Sequence, residues 1–417
     1  MTMHRRLNSL KVSRRVLIAC WVAYAVAYTG RISYYTALAS MINDSCFAKS
    51  DAGFIGTAFF FFYGFGQLIS GIFGDRISPF KMVAAGLILS SAANLSMSFF
   101  QSYSPAMTAV WGLNGFAQSM LWSPMLYIFI HVLHRDLQKR AYLFITTAVP
   151  VGTAATYLMS MAVLRYARWN LIFIIGSVLM LAAAAVWILA ALSASSDFTD
   201  EEEPKAEIAE QTEKAAGFPK LMAVSGAGIL LTAILIHGML KEGVSVWVPT
   251  MISETYGVSP SFSVFLSMFL PIVSLAGPYA ITFFYNRWLE QDEAKAAALC
   301  LIAAIPPLCL LILIGKMPVA VSVAMLALIT AAINAFNYIT VTLVPVRFAP
   351  YHRASTATGL LNSITYMGSA VSTYGFGFLS EQFGWGNTIL FWIGLDSLGI
   401  LFCVLSFVRW RRFIHLS

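Results

Sequence analysis

Residues 24–41 read YAVAYTGRISYYTALASM, an apolar run with a single cation, Arg31, near its middle. A charge at the centre of a membrane-spanning helix costs about 2.5 kcal/mol or more, so it is rarely kept without a function. Tyr24, Tyr28, Arg31 and Tyr35 follow one another at steps of four, three and four. On a helix that spacing puts one guanidinium and three phenols on one face. The stretch therefore predicts a helix that presents a cation to an anionic solute from inside a membrane.

Composition agrees with a membrane setting. Of the 417 residues, 59% are hydrophobic and 11% are charged. Soluble domains have about 45–50% apolar and about 25% charged residues. The remaining composition leaves no room for a large soluble domain. The net charge of +7 is explained by loop residues rather than by nucleic-acid binding. Cys20, Cys46, Cys300, Cys309 and Cys403 are scattered, with no CxxC spacing or His/Cys cluster. Neither a disulfide framework nor a metal site is expected. No P-loop, nucleophile elbow or HExxH is present, which disfavours an ATP-driven pump and an enzyme, and no cofactor is expected. Ala37-Leu38-Ala39 imitates a signal-peptidase site, but the run is too long and too charged to be a signal peptide.

Outward from residue 31, twelve apolar segments are each long enough for the ~20 residues of a span. They cover 16–40, 52–74, 82–100, 105–132, 141–164, 169–192, 221–252, 260–284, 294–315, 317–344, 355–380 and 386–408. With the N-terminus inside, the cytoplasmic segments carry 20 of the 26 Lys and Arg, and the outer loops carry 4. Arg31 and Lys241 remain within spans. This bias and the even span count predict that both termini are cytoplasmic. Residues 193–220 hold eight acids and read as a solvated, partly helical tether. The expected domains are a six-helix half at 1–192, a linker at 193–220 and a second six-helix half at 221–417.

The halves echo one another. Met41-Ile42-Asn43-Asp44-Ser45 follows Arg31 as Met251-Ile252-Ser253-Glu254-Thr255 follows Lys241, both pairs at an offset of 210. Asn114-Gly115-Phe116 pairs with Asn334-Ala335-Phe336, Gly152 with Gly368, and Trp169 with Trp385. The order of these matches predicts an internal six-span repeat. The expected fold is an all-α membrane protein of twelve transmembrane helices in two pseudo-symmetric halves. A solute site is expected near the midplane, with Arg31 and Lys241 as pseudo-equivalent cations. Arginine brings a planar fork and lysine a point charge, and the combination suits an oxyanion. Glu242 and Asp396 also fall within spans, where each is a candidate counter-ion or coupling-proton site. Phe59 to Phe62 cannot all face one site and read as lipid-facing or packing residues.

Gly71-Ile72-Phe73-Gly74-Asp75-Arg76 resembles the cytoplasmic loop signature of the major facilitator superfamily, which makes Asp75 and Arg76 candidate gating residues. The corresponding second-half loop, Tyr285-Asn286-Arg287, lacks that pattern. Gly30-Arg31-Ile32-Ser33-Tyr34, Tyr63-Gly64-Phe65-Gly66-Gln67, Gly115 through Pro124, and Leu240-Lys241 through Thr250 resemble segments of the organophosphate:phosphate antiporter family. The resemblance implies a small organic phosphate or related anion exchanged by alternating access, with inorganic phosphate as candidate counter-substrate. It also implies that Arg31 and Lys241 hold the phosphate, and that Tyr24, Tyr28, Tyr63 and Tyr366 occupy site positions. Gln67, Trp122, Asn337, Tyr338 and Asn362 complete the candidate solute site beside Tyr35.

Some positions depart from the family pattern. Gln67 replaces a lysine, Val149 stands near the place of a histidine, Ala39 replaces a proline, and Glu242 adds an acid beside Lys241. These changes make the site less positive and leave a carboxylate or a monoanion open. The alternatives are a proton-coupled symporter of a carboxylate or sugar acid, and a transporter-like membrane sensor. The expected setting is a cell inner membrane, with the protein monomeric, in contact with the lipid bilayer and its solute, and with no nucleic-acid partner.

Overall fold

The computed structural model describes residues 4–45, 48–73, 77–100, 103–201, 218–351 and 353–416. Asp75, Arg76 and Cys46 lie outside them. The chain is almost wholly helical. A short strand β1, His4–Leu7, precedes α1, Leu10–Ser45. Next come α2, Lys49–Phe73; α3, Pro79–Met97; α4, Ser104–Tyr127; α5, Arg135–Thr146; α6, Ala148–Tyr166; and α7, Asn170–Ser195. Strand β2, Phe198–Glu201, follows. After it lie α8, Phe218–Ser225; α9, Ala227–Tyr256; α10, Pro260–Ser267; α11, Phe269–Ser274; α12, Ala276–Arg287; α13, Glu293–Leu311; α14, Val319–Asn337; and α15, Ala354–Leu416.

Among the described residues, nine helical stretches are long and apolar enough to cross a membrane. One of them, Thr356–Ile414, has 59 residues, more than twice the ~20 that a span needs. Within it α15 breaks at Gly384, whose φ of 78° and ψ of 169° suit a residue without a Cβ, so its two arms serve as separate crossings. Helices α2 and α4, with 25 and 24 residues, also have spanning length. Local chemistry marks several ends. Gly226 and Gly257 bracket α9 at φ of 76° and 62°. Asp292 caps α13 by accepting from the Ala294 and Lys295 amides at 3.0 and 3.1 Å.

Packing groups the helices into two units: residues 1–37 with 61–212, and residues 38–60 with 213–417. The end of α1 and the first half of α2 are therefore packed with the second-half helices. Within that unit the Lys49 ammonium pairs with Glu254 at 2.5 Å and lies 5.1 Å from the Trp385 ring centre. Trp385 Nε1 donates to the same Glu254 carboxylate at 2.7 Å.

The two units repeat each other in detail. A Cβ at Gly152 would strike the Ala25 carbonyl, and a Cβ at Gly368 would strike the Leu235 carbonyl; both distances are near 2 Å, which no side chain tolerates. Ala25 and Leu235 are themselves 210 residues apart. One turn of π-helix begins at Ile128 after α4 and another at Tyr338 after α14, again separated by 210. Inserted π turns commonly mark functional segments of helices.

The segment read as a solvated tether is ordered at its start. Helix α7 continues to Ser195, and β2 pairs antiparallel with β1, His4 opposite Glu201 and Leu7 opposite Phe198. Leu7 is buried, and Phe198 lies edge-on to Phe80, which stacks on Trp187. Half-buried Phe198 is the aromatic residue among the acids that packs this first part of the linker against the first-unit core.

The start of α13 holds an ion pair that the missing second-half signature did not suggest. Glu293, 1% exposed, accepts from Arg347 Nε at 2.7 Å, Tyr285 Oη at 2.7 Å and Trp410 Nε1 at 3.0 Å. Arg347 also donates to the Gln291 carbonyl at 2.8 Å. Three donors offset the cost of burying that carboxylate.

Candidate functional site

In the first unit Arg31 is 4% exposed and enclosed by phenols. Its Nε donates to Tyr35 Oη at 3.3 Å. Its guanidinium carbon lies 5.4 Å from the Tyr63 ring centre and 5.9 Å from that of Tyr28. Aromatic faces attract a cation without neutralising it. Tyr24 extends the aromatic wall, packing 5.5 Å from Tyr28 and 5.2 Å from Trp122. The structure thus gathers six of the expected residues: Tyr24, Tyr28, Arg31, Tyr35, Tyr63 and Trp122.

The backbone beneath Arg31 is fixed by amides. The Gly30 carbonyl accepts from Asn94 Nδ2 at 3.1 Å and from Asn114 Nδ2 at 2.9 Å. One turn earlier, the Ala27 carbonyl accepts from Gln118 Nε2 at 3.0 Å. Ser90 Oγ orients Asn114 by donating to its Oδ1 at 2.6 Å. From the other side Thr156 Oγ1 donates to Thr29 Oγ1 at 3.1 Å. Gly30 also packs closely on α7, where a Cβ would lie 2.4 Å from Met180 Sδ and oblige that side chain to move. Helices α3, α4, α6 and α7 therefore hold the cation-bearing turn of α1. Sequence reasoning placed Asn114 and Gln118 in motifs without this role, and it missed Ser90 and Asn94. Their spacing of four within the apolar α3 was the available signal.

In the second unit Lys241 Nζ lies 3.6 Å from Glu242 Oε1 and 5.8 Å from the Tyr366 ring centre. Tyr366 stacks on Phe60 at 6.4 Å. Phe59 and Phe60 are buried whereas Phe61 and Phe62 are exposed, so the phenylalanine run divides between two faces. One turn before Lys241, His237 Nε2 lies 3.3 Å from Asn337 Oδ1, and the imidazole stacks on Phe336 at 4.6 Å. His237 was not foreseen. Gln67, Tyr338 and Asn362 are half-buried and make no side-chain hydrogen bond among the described residues. Asp396, on the second arm of α15, is fully buried, with no hydrogen-bond partner for either oxygen among the described residues. Those residues contain no group of His, Cys, Asp and Glu able to hold a metal ion.

The model of the Major Facilitator Superfamily matches residues 20–373. The chain belongs to this superfamily. A solved bacterial homologue of the human lysosomal transporter Spinster has the same fold, with a TM-score of 0.81 at 15% identity over 97% of this chain and 99% of that one. The glycerol-3-phosphate transporter of Bacillus subtilis is 22% identical over 96% of this chain and 94% of its own length. A probable hexose phosphate transport protein of Chlamydia muridarum is 26% identical over 156 residues, 37% of this chain. The match to that relative spans only 34% of its length. The membrane sensor protein UhpC of Escherichia coli is 31% identical over 105 residues, 25% of this chain and 24% of that protein. The chain is accordingly a multi-pass membrane protein of this superfamily.

Proposed function

We propose that this facilitator exchanges a small organic phosphate, or a related organic anion, for inorganic phosphate by alternating access. The setting is a cell inner membrane with both termini cytoplasmic. One observation carries the reading: Arg31 sits in a cage of neutral phenols, on a turn fixed by buried amides. The planar fork of a guanidinium matches an oxyanion through paired, charge-assisted hydrogen bonds. The names of the relatives, a glycerol-3-phosphate and a probable hexose phosphate carrier, support a phosphate ester. Lys241 supplies the second cation, tempered by Glu242.

Counterflow in proteoliposomes tests the exchange. Vesicles loaded with inorganic phosphate should accumulate labelled glycerol 3-phosphate or glucose 6-phosphate, and empty vesicles should not. Uptake into empty vesicles that follows an imposed pH gradient would overturn antiport.

A second reading, proton-coupled symport of a carboxylate, draws on Asp396, a buried carboxyl within a span with no hydrogen-bond partner among the described residues. Asp396→Asn should then abolish pH-driven uptake while sparing exchange at equilibrium. Unchanged pH-driven uptake would remove Asp396 from the coupling.

A further inference from the structure

Lys241 is not the only polar group that this face of α9 offers. His237 precedes it by one turn, so the two side chains project from the same side of the helix. The His237 ring is fully buried, and its plane is set by stacking on Phe336 at an interplanar angle of 25°. Nε2 meets Asn337 Oδ1 at 3.3 Å, whereas Nδ1 has no hydrogen-bond partner among the described residues. A bare acceptor nitrogen inside a protein is tolerated better than a bare N–H. The ring hydrogen therefore belongs on Nε2, and Asn337 Oδ1 is its acceptor. That fixes the amide: the oxygen faces the histidine, and Nδ2 with its two hydrogens faces away. Asn337 is half-buried and closes α14, where the helix passes into the π turn Tyr338–Leu343.

We propose that His237 is a positioning residue that holds Asn337 with its amide hydrogens toward the solute beside Lys241, so that this end of the site takes only hydrogen-bond-accepting oxygens. This rests on the anion-exchange reading and deepens it. The group read there is an oxyanion or ester oxygen, and a solute presenting an N–H or ammonium donor at that point is rejected. A pocket built to donate discriminates strongly, because an unmatched buried donor is left without a partner.

The test uses the full chain in lipid vesicles, with inorganic phosphate, glycerol 3-phosphate, glucose 6-phosphate and gluconate as probes. His237→Leu should raise KM about tenfold with Vmax kept within about twofold, the pattern of lost binding rather than lost turnover. His237→Gln, which restores a donor, should recover KM to within about threefold of wild type. Asn337→Ala should match His237→Leu, and the double variant should be no worse than either single one, because the two act as one unit. Solid-state 15N NMR of histidine-labelled protein, with His237→Gln identifying the signal, should show hydrogen on Nε2. Hydrogen on Nδ1, additive losses, or a glutamine variant no better than leucine would overturn the inference. Wild-type exchange of gluconate and no phosphate would instead overturn the phosphate reading, with the His237 variants then measured on gluconate. Exchange of none of the four would overturn both.

Discussion

Arg31 and Lys241 hold matching places in the two units, yet their surroundings differ in kind. Arg31 lies among phenols: its Nε donates to Tyr35 Oη, and the Tyr28 and Tyr63 rings flank its guanidinium. Lys241 has a carboxylate 3.6 Å away and a more open side chain. Phenols steady a cation while preserving its field, whereas an acid neighbour cancels part of it. The backbone support differs as well. Asn94 and Asn114 both donate to the Gly30 carbonyl, while on α9 the Gly238 carbonyl accepts from Ser369 Oγ at 3.0 Å. Each cation thus has its own local setting, a fork among aromatic rings on α1 and a point charge with an acid beside it on α9.

The asymmetry can be broken experimentally. The largest effect expected is from Arg31→Ala, which should cut specific vesicle uptake by about 100-fold or more while the protein still inserts, as loss of a charge-assisted pair implies. Surviving uptake would remove Arg31 from the site. Next, Arg31→Lys should lose about tenfold in uptake, whereas Lys241→Arg should stay within about threefold, because a fork can replace a point charge more easily than the reverse. Equal losses would mean that the two grips are equivalent. Asn114→Ala removes one donor from the Gly30 carbonyl and should cost about 1–3 kcal/mol of stability, seen as a lower melting temperature in detergent, with a raised KM. A lower melting temperature at unchanged KM would make the amide lattice purely structural. The smallest effect should come from Glu242→Gln. Relieving the lysine of its neighbour should tighten binding of a doubly charged phosphate ester by about two- to fivefold, measured by competition, a gain in keeping with a partly screened pair. Weaker binding would show that Glu242 itself contacts the solute.

Much of this architecture was legible in the sequence, and its limits have physical causes. Span lengths, the cation in α1 and the tyrosine stripe are local signals, set by runs of apolar residues and by helical spacing. The shared offset of 210 was visible as paired residues and reappears as paired π turns and paired glycine contacts. Contacts between helices were not legible. Which carbonyl Asn94 reaches, or which amide His237 meets, depends on how two helices are rotated and how closely they approach, and no spacing within one helix encodes that. Glu293 illustrates the same limit. Its partners Arg347 and Trp410 lie 54 and 117 residues away, so the ion pair escapes any reading of the loop signature alone. The β1–β2 pairing was hidden for a different reason, since eight acids outweighed one anchoring phenylalanine.

The division of α1 between the two units has a consequence for its own chain. The helix is continuous from Leu10 to Ser45, but its residues up to Ala37 pack with one unit and those from Leu38 with the other. Arg31 stands six residues before that change, about 9 Å along the axis. The stretch of α1 that belongs to the second unit thus begins less than two helical turns past the cation.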